Sequence, residues 1–166
     1  MRVLFWMVVA AYVAAWCWAA ATLPGRVPVR FDLNGVPARW GSSTELLTAM
    51  ALLGGGLAVL LGGLSWFSGR LPLRAAWVNL PHKQWWLATP EREARARRMI
   101  VHDLHALSSL VMAIPLGVLV LTAHAADQPA PRMSSLAQVL ICAALVLVLG
   151  WSAWLALARY RPRDDG

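Results

Sequence analysis

Residues 23–43 read LPGRVPVRFDLNGVPARWGSS, a polar interlude between two long apolar runs. Val29, Phe31 and Leu33 alternate with Arg30 and Asp32, the period-2 pattern of an extended strand. Asn34-Gly35 follows, a pair that tolerates positive φ and favours a tight hairpin turn. A two-residue turn there predicts Leu33 opposite Val36, Phe31 opposite Ala38 and Val29 opposite Trp40, forming one apolar face. Pro24, Pro28 and Pro37 lack the N–H a ladder needs, so the spacing predicts an irregular, proline-stiffened hairpin. A folded polar loop between two apolar runs of membrane length is the signature of a membrane protein.

Composition agrees. The chain is 59% hydrophobic and 14% charged, with a mean hydropathy of +0.57, outside the range of ordinary soluble domains. Its 166 residues make one unit. The net charge of +7 does not point to nucleic acid, because the basic residues flank apolar runs, as in proteins oriented in a bilayer. Ten tryptophans fit the same view, since aromatic rings gather at membrane interfaces.

Four apolar stretches approach the ~20 residues that span a bilayer: about 3–23, 45–67, 99–123 and 135–159. The reading is an all-α, four-span protein in a single integral-membrane domain, with an outer loop 24–44 and a cytoplasmic loop 68–98. Ser42 and Glu45 form a capping box for the second helix. Thr89-Pro90-Glu91 offers a capping hydroxyl, proline at the first position and an early acid, so the third helix should begin near Pro90. Ala19-Ala20-Ala21 resembles a signal-peptidase site, yet the apolar run is longer than a usual signal core, and a retained helix is expected.

Lysine and arginine orient the spans. Arg2; Arg70, Arg74, Lys83, Arg92, Arg95, Arg97 and Arg98; and Arg159, Arg161 and Arg163 would share one side, eleven in all. Arg26, Arg30, Arg39 and Arg132, four in all, would share the other. Both termini and the middle loop are therefore expected in the cytoplasm.

Small residues repeat every four positions at Gly54, Ala58 and Gly62, and at Ala11, Ala15 and Ala19. Such stripes let helices approach closely in lipid, within one chain or at a homodimer seam. In the middle loop, Trp77, Trp85 and Trp86 with Lys83 read as a segment at the cytoplasmic interface.

The outer loop resembles the domain-of-unknown-function family 1648, whose pattern runs Leu-Pro, Val/Ile-Pro, His-Phe, then Gly-x-Pro-Asp-x-Trp-Gly-Ser-Lys. Leu23, Pro24, Val27, Pro28, Phe31, Gly35, Pro37, Trp40, Gly41 and Ser42 match it. Asn79, Leu80, Pro81, Lys83, Trp86 and Leu87 are similar to a second stretch of many members, Asn-x-Pro-x-Lys-x-Tyr-Trp-Leu. Arg30, Ala38 and Ser43 depart from the family's His, Asp and Lys, so any chemistry of that trio is altered here. The resemblance implies a bacterial inner-membrane protein related to the SdpI-like immunity proteins, which protect a cell from its own exported toxic peptide.

Candidate site residues fall in three groups. Arg26, Arg30, Phe31, Arg39 and Trp40 of the outer loop would bind a peptide or membrane-protein partner, since arginine and tryptophan dominate binding hot spots. Asn79, Pro81, Lys83 and Trp86 form the cytoplasmic interface motif. His102, Asp103 and His105 are ionisable groups at the start of a span, a functional hypothesis by default. At 100° per residue His102, His105 and Ser109 share a face with Arg95 and Arg98, and Asp103 points elsewhere. Interfacial solvation, proton or anion handling, or a metal site with His82 as third ligand are the readings open to them. Cys17 and Cys142 read as small buried residues. No nucleophile motif, phosphate loop or carboxylate pair is present, so no catalytic residue, cofactor or metal is assigned. The expected role is non-enzymatic: recognition through the outer loop, or else an accessory subunit of a membrane complex or a small transporter.

Overall fold

The computed structural model describes residues 1–70, 72–75 and 78–161; Trp77 and Arg163, invoked above, lie outside the described residues. Helix α1 (Arg2–Thr22) leads into strands β1 (Arg26–Phe31) and β2 (Pro37–Ser42). Helix α2 (Ser43–Ser68), the short α3 (Lys83–Trp86), α4 (Pro90–Ala126) and α5 (Ser135–Trp154) follow, and a π-helical turn, Leu155–Arg159, extends α5. Four of these helices are long and apolar enough to cross a membrane. The chain is a multi-pass membrane protein by length and composition.

Helix starts follow their caps. Ser42 Oγ accepts from the Glu45 N–H at 3.0 Å and Thr89 Oγ1 from the Arg92 N–H at 3.3 Å. Ser134 Oγ does the same for Ala137 at 3.2 Å. Each satisfies a donor that a first helical turn leaves open.

α4 is the central helix, packing against α1, α2 and α5. Phe5, Tyr12 and Ala19 recur every seven residues on α1 and are buried with Met112, Leu119 and Ala123 of α4. A repeat of seven keeps one stripe of a helix against one neighbour. The glycine stripe of α2 serves α1. A side chain at Gly54 would overlap the Tyr12 ring, and the freed space lets the Tyr12 hydroxyl donate to the Met50 carbonyl at 2.5 Å. Trp16 Nε1 donates to the Leu47 carbonyl at 2.9 Å. The small residues thus seat aromatic rings that carry their own hydrogen bonds into the apolar layer, where an unpaired N–H or O–H would be costly.

Two sequence expectations need correction. The hairpin turn is one residue longer than a two-residue loop. Asp32 Oδ1 accepts from the N–H groups of Asn34 and Val36, both at 2.8 Å, while the Gly35 N–H bonds to the Asp32 carbonyl at 3.0 Å. Within the hairpin only Gly35 takes positive φ, 74°, so this is a turn followed by a left-handed glycine, a three-residue loop. The ladder shifts accordingly: Phe31 faces Pro37, Arg30 faces Arg39, and Pro28 faces Trp40, with irregularities on either side of Arg30. The short Asp32 side chain, which captures local N–H groups, decided the register. The cysteines do not pack inside the bundle: Cys17 and Cys142 are free thiols on the outward faces of two apolar helices.

Candidate functional site

The hairpin is held at base and tip. At the base, Val27 and Pro28 are buried, and the Ser43 N–H bonds to the Gly25 carbonyl at 3.2 Å. At the tip, the Met133 N–H donates to the Gly35 carbonyl at 2.9 Å, fastening the turn to the segment before α5. A side chain at Gly35 would collide with the Met133 carbonyl oxygen, so glycine is needed here for both φ and space.

Between those anchors the hairpin displays its side chains. Leu33 is 97% exposed and Trp40 41%. Arg26 lies over the Trp40 ring, 5.7 Å from its centre, within cation–π range. Arg39 forms an ion pair with Glu45. Arg30 and Arg39 are cross-strand partners, and like charges placed opposite one another destabilise a ladder. Arg30 has no ion-pair partner among the described residues. Both arginines, with Phe31, Asp32, Leu33 and Ala38, line a depression of about 580 Å³; Asp32 Oδ1 is engaged by two backbone N–H groups of the turn. Two positive forks beside apolar side chains suit a carboxylate next to a hydrophobic group.

The opposite end of the bundle holds the second constellation. Asp103 is 3% exposed. Its Oδ2 accepts from Arg159 Nε at 2.9 Å and from the Tyr160 hydroxyl at 3.3 Å; Arg159 Nη2 reaches Oδ1 at 3.3 Å. Burial, reinforced by the Asp103 carboxylate, pushes the Tyr160 phenol above its ordinary value, so it remains a donor. His102 Nδ1 lies 3.3 Å from Asp103 Oδ1. His105 is buried, its Nδ1 2.7 Å from the Val101 carbonyl. His102 and His105 line a cavity with Arg98. Arg95, expected on the same face, instead lies beside Trp85, Trp86 and Arg159.

His82 does not join these histidines: among the described residues no three His, Cys, Asp or Glu side chains converge as metal ligands. His82 takes a left-handed conformation, φ 53°, immediately before α3.

The middle-loop motif is turned inward. Trp86 is 4% exposed and packs with Leu73, Leu80 and Ala96, its Nε1 donating to the Tyr160 carbonyl at 3.1 Å. Lys83 Nζ donates to the Ala75 and Val78 carbonyls at 2.6 and 3.1 Å. Pro81 is half-buried and Asn79 exposed. These residues fold the loop on itself and fasten the end of α5. Arg159 and Tyr160 are the site residues that sequence reading missed. A signal existed: a lone acid inside a span needs a cation at its own depth, and Arg159 closes the fourth span at the matching end.

Residues 7–55 match the family described as "Domain of unknown function (DUF1648)". The DUF1648 segment takes in most of α1, the whole hairpin and the first half of α2. Tyr12, Trp16, Met50 and Gly54, which join the two helices, all lie within it. The resemblance read from the outer loop therefore holds for this part of the chain. No curated protein and no solved structure matches the sequence.

Proposed function

We propose that this is a non-enzymatic, multi-pass protein of a bacterial inner membrane whose outer hairpin recognises a peptide or protein carrying an acidic group beside an apolar side chain. The observation that carries this reading is the Arg30–Arg39 cross-strand pair, held open over Phe31 and Leu33 on a hairpin pinned at both ends. Glu45 answers Arg39, which leaves Arg30 as the cation open to an incoming carboxylate, with Arg39 beside it. Anchoring at base and tip also lowers the entropy lost on binding. The eleven-to-four distribution of basic residues supports placing the hairpin on the side of the membrane away from the cytoplasm. An immunity-like role, in which the hairpin captures an exported peptide, is the biological form of this reading.

Co-purification in mild detergent tests it. Capture of a secreted peptide by the wild-type chain, lost on Arg30→Gln, supports recognition. A stoichiometric assembly with other membrane proteins that survives Arg30→Gln would support an accessory subunit instead. Reporter fusions after Gly35 and Arg92 check the orientation, the first expected outside and the second in the cytoplasm.

A further inference from the structure

We propose that the cavity enclosed by the start of α1, the end of α2 and the first turns of α4 binds the phosphate head of an acidic membrane lipid. The cavity measures about 560 Å³ and lies at the end of the bundle away from the hairpin. Arg2, Arg70, Arg97 and Arg98 line it together with His102 and His105, and among the described residues no carboxylate does.

Two of the arginines are already held. Arg70 stacks on Trp66, 3.8 Å from the ring centre, and donates to the Trp66 carbonyl at 3.2 Å. Arg97 reaches the Gly69 carbonyl at 3.2 Å and Glu93 at 3.7 Å. Arg2 and Arg98 have no ion-pair partner among the described residues, so the cavity carries positive charge that its own walls do not answer. An arginine fork matches two phosphate oxygens at once. Basic pockets between spanning helices on the cytoplasmic side are where acidic lipid heads dock.

The remaining wall decides between a lipid and a free phosphate ester. Phe5, Trp6, Gly62 and Trp66 make it apolar. Trp6 and Trp66 are more than half exposed on the outer faces of α1 and α2, so the cavity opens onto the surface that acyl chains cover. With no side chain at Gly62, the Phe5 and Trp6 rings close to within 3.6–3.7 Å of where a Cβ would stand. A phosphate inside with its chain leaving along this wall satisfies both halves of the site. The inference shares with the hairpin reading only the orientation of the spans; partner capture by the hairpin and lipid binding by the cavity are read out separately.

Thermal melting of the full chain in a neutral detergent tests it, with phosphatidylglycerol, phosphatidylcholine or glycerol 3-phosphate added. Phosphatidylglycerol is expected to raise Tm by about 5 °C at saturation, and the other two to leave it near the detergent value. The Arg2→Gln/Arg98→Gln variant should lose at least half of that rise, whereas Arg132→Gln at the far end should keep it. An equal rise with phosphatidylcholine, or a full rise in the double variant, overturns the site. A full rise with glycerol 3-phosphate overturns the lipid in favour of a soluble phosphate ester. Should the double variant not fold, a photo-crosslinking phosphatidylglycerol on the wild type decides. Adducts confined to residues 2–6, 62–70 and 97–105 support the site, and labelling spread over all spans overturns it.

Discussion

The two polar loops of the chain, 23–42 before α2 and 69–89 before α4, draw on the same kinds of residue: proline, glycine, tryptophan and three cations each. They are used in opposite ways. The first keeps Trp40 and Arg30 exposed; the second buries Trp86 and spends Lys83 on two backbone carbonyls. What differs is the supply of partners. Near the second loop, Glu93 accepts from Arg74 and the Ala75 and Val78 carbonyls from Lys83, while Asp103 holds Arg159 and Tyr160 at the end of α5 beside it. Near the first, Glu45 answers Arg39 alone, and the other cations stay displayed. A loop buries its polar residues where acceptors stand within reach, and presents them where none do.

The sharpest way to break this contrast is at Asp103. Asp103→Asn leaves Arg159 charged and without its carboxylate, which should cost about 3 kcal/mol and lower the detergent melting temperature by roughly 10 °C. An Asp103→Leu/Arg159→Leu double variant should be less damaged than Asp103→Asn, because no buried charge is left unpaired. A double variant as unstable as the single would mean that packing, rather than charge, holds the loop end together.

Next comes the joint between α1 and α2, which both loops depend on. Gly54→Ala puts a methyl into the Tyr12 ring. Overpacking of this kind should cost about 2 kcal/mol, despite the better helix propensity of alanine. Tyr12→Phe in the same background should recover part of the loss by removing the hydroxyl that ties the ring to Met50; thermal melting checks both.

A smaller effect is expected from Trp86→Phe. It keeps the ring in its pocket and removes the N–H to the Tyr160 carbonyl, at a cost of about 1 kcal/mol. Limited proteolysis should then cut after Arg159 or Arg161 faster than in the wild type. Least of all should change with Arg30→Gln: stability within about 0.5 kcal/mol of wild type, and slightly higher if relief of the Arg30–Arg39 repulsion dominates. Its signature is lost partner binding at unchanged melting temperature. A large drop in melting temperature would show that the hairpin arginines are structural, and the two loops would then differ less than they look.

Much of the architecture was legible because its signals are local or one-dimensional. The spans announce themselves by length and hydropathy, and the helix starts at Ser42 and Thr89 by a hydroxyl three residues before an open N–H. The small-residue stripe at Gly54 gave the close approach of α2 to a neighbour. The hairpin register was not legible, because one Asp32 oxygen bonding two N–H groups outweighs the Asn-Gly preference, and alternation alone does not reveal that competition. The partner of Asp103 was missed for another reason. Arg159 lies 56 residues away, and an arginine at a span end is ordinarily credited to orientation. The inward turn of Trp86 depends on a carbonyl 74 residues later, which no local pattern encodes.

One detail of the hairpin end bears on how α5 can move. Of its twenty α-helical residues only Ala137 is buried, and its main helical neighbour is α4. Yet it is clasped at both extremities, by the Met133–Gly35 bond at one and by Asp103–Arg159 with Trp86–Tyr160 at the other. It resembles a stave between two hoops. Between the clasps a stripe through Ala137, Ile141, Ala144, Val148 and Ser152 is at least half-buried, and the opposite face is open. Sliding along that axis by a single turn, about 5.4 Å, would have to open both clasps together. The depth of the fourth span is therefore set by three pairs of residues at its ends.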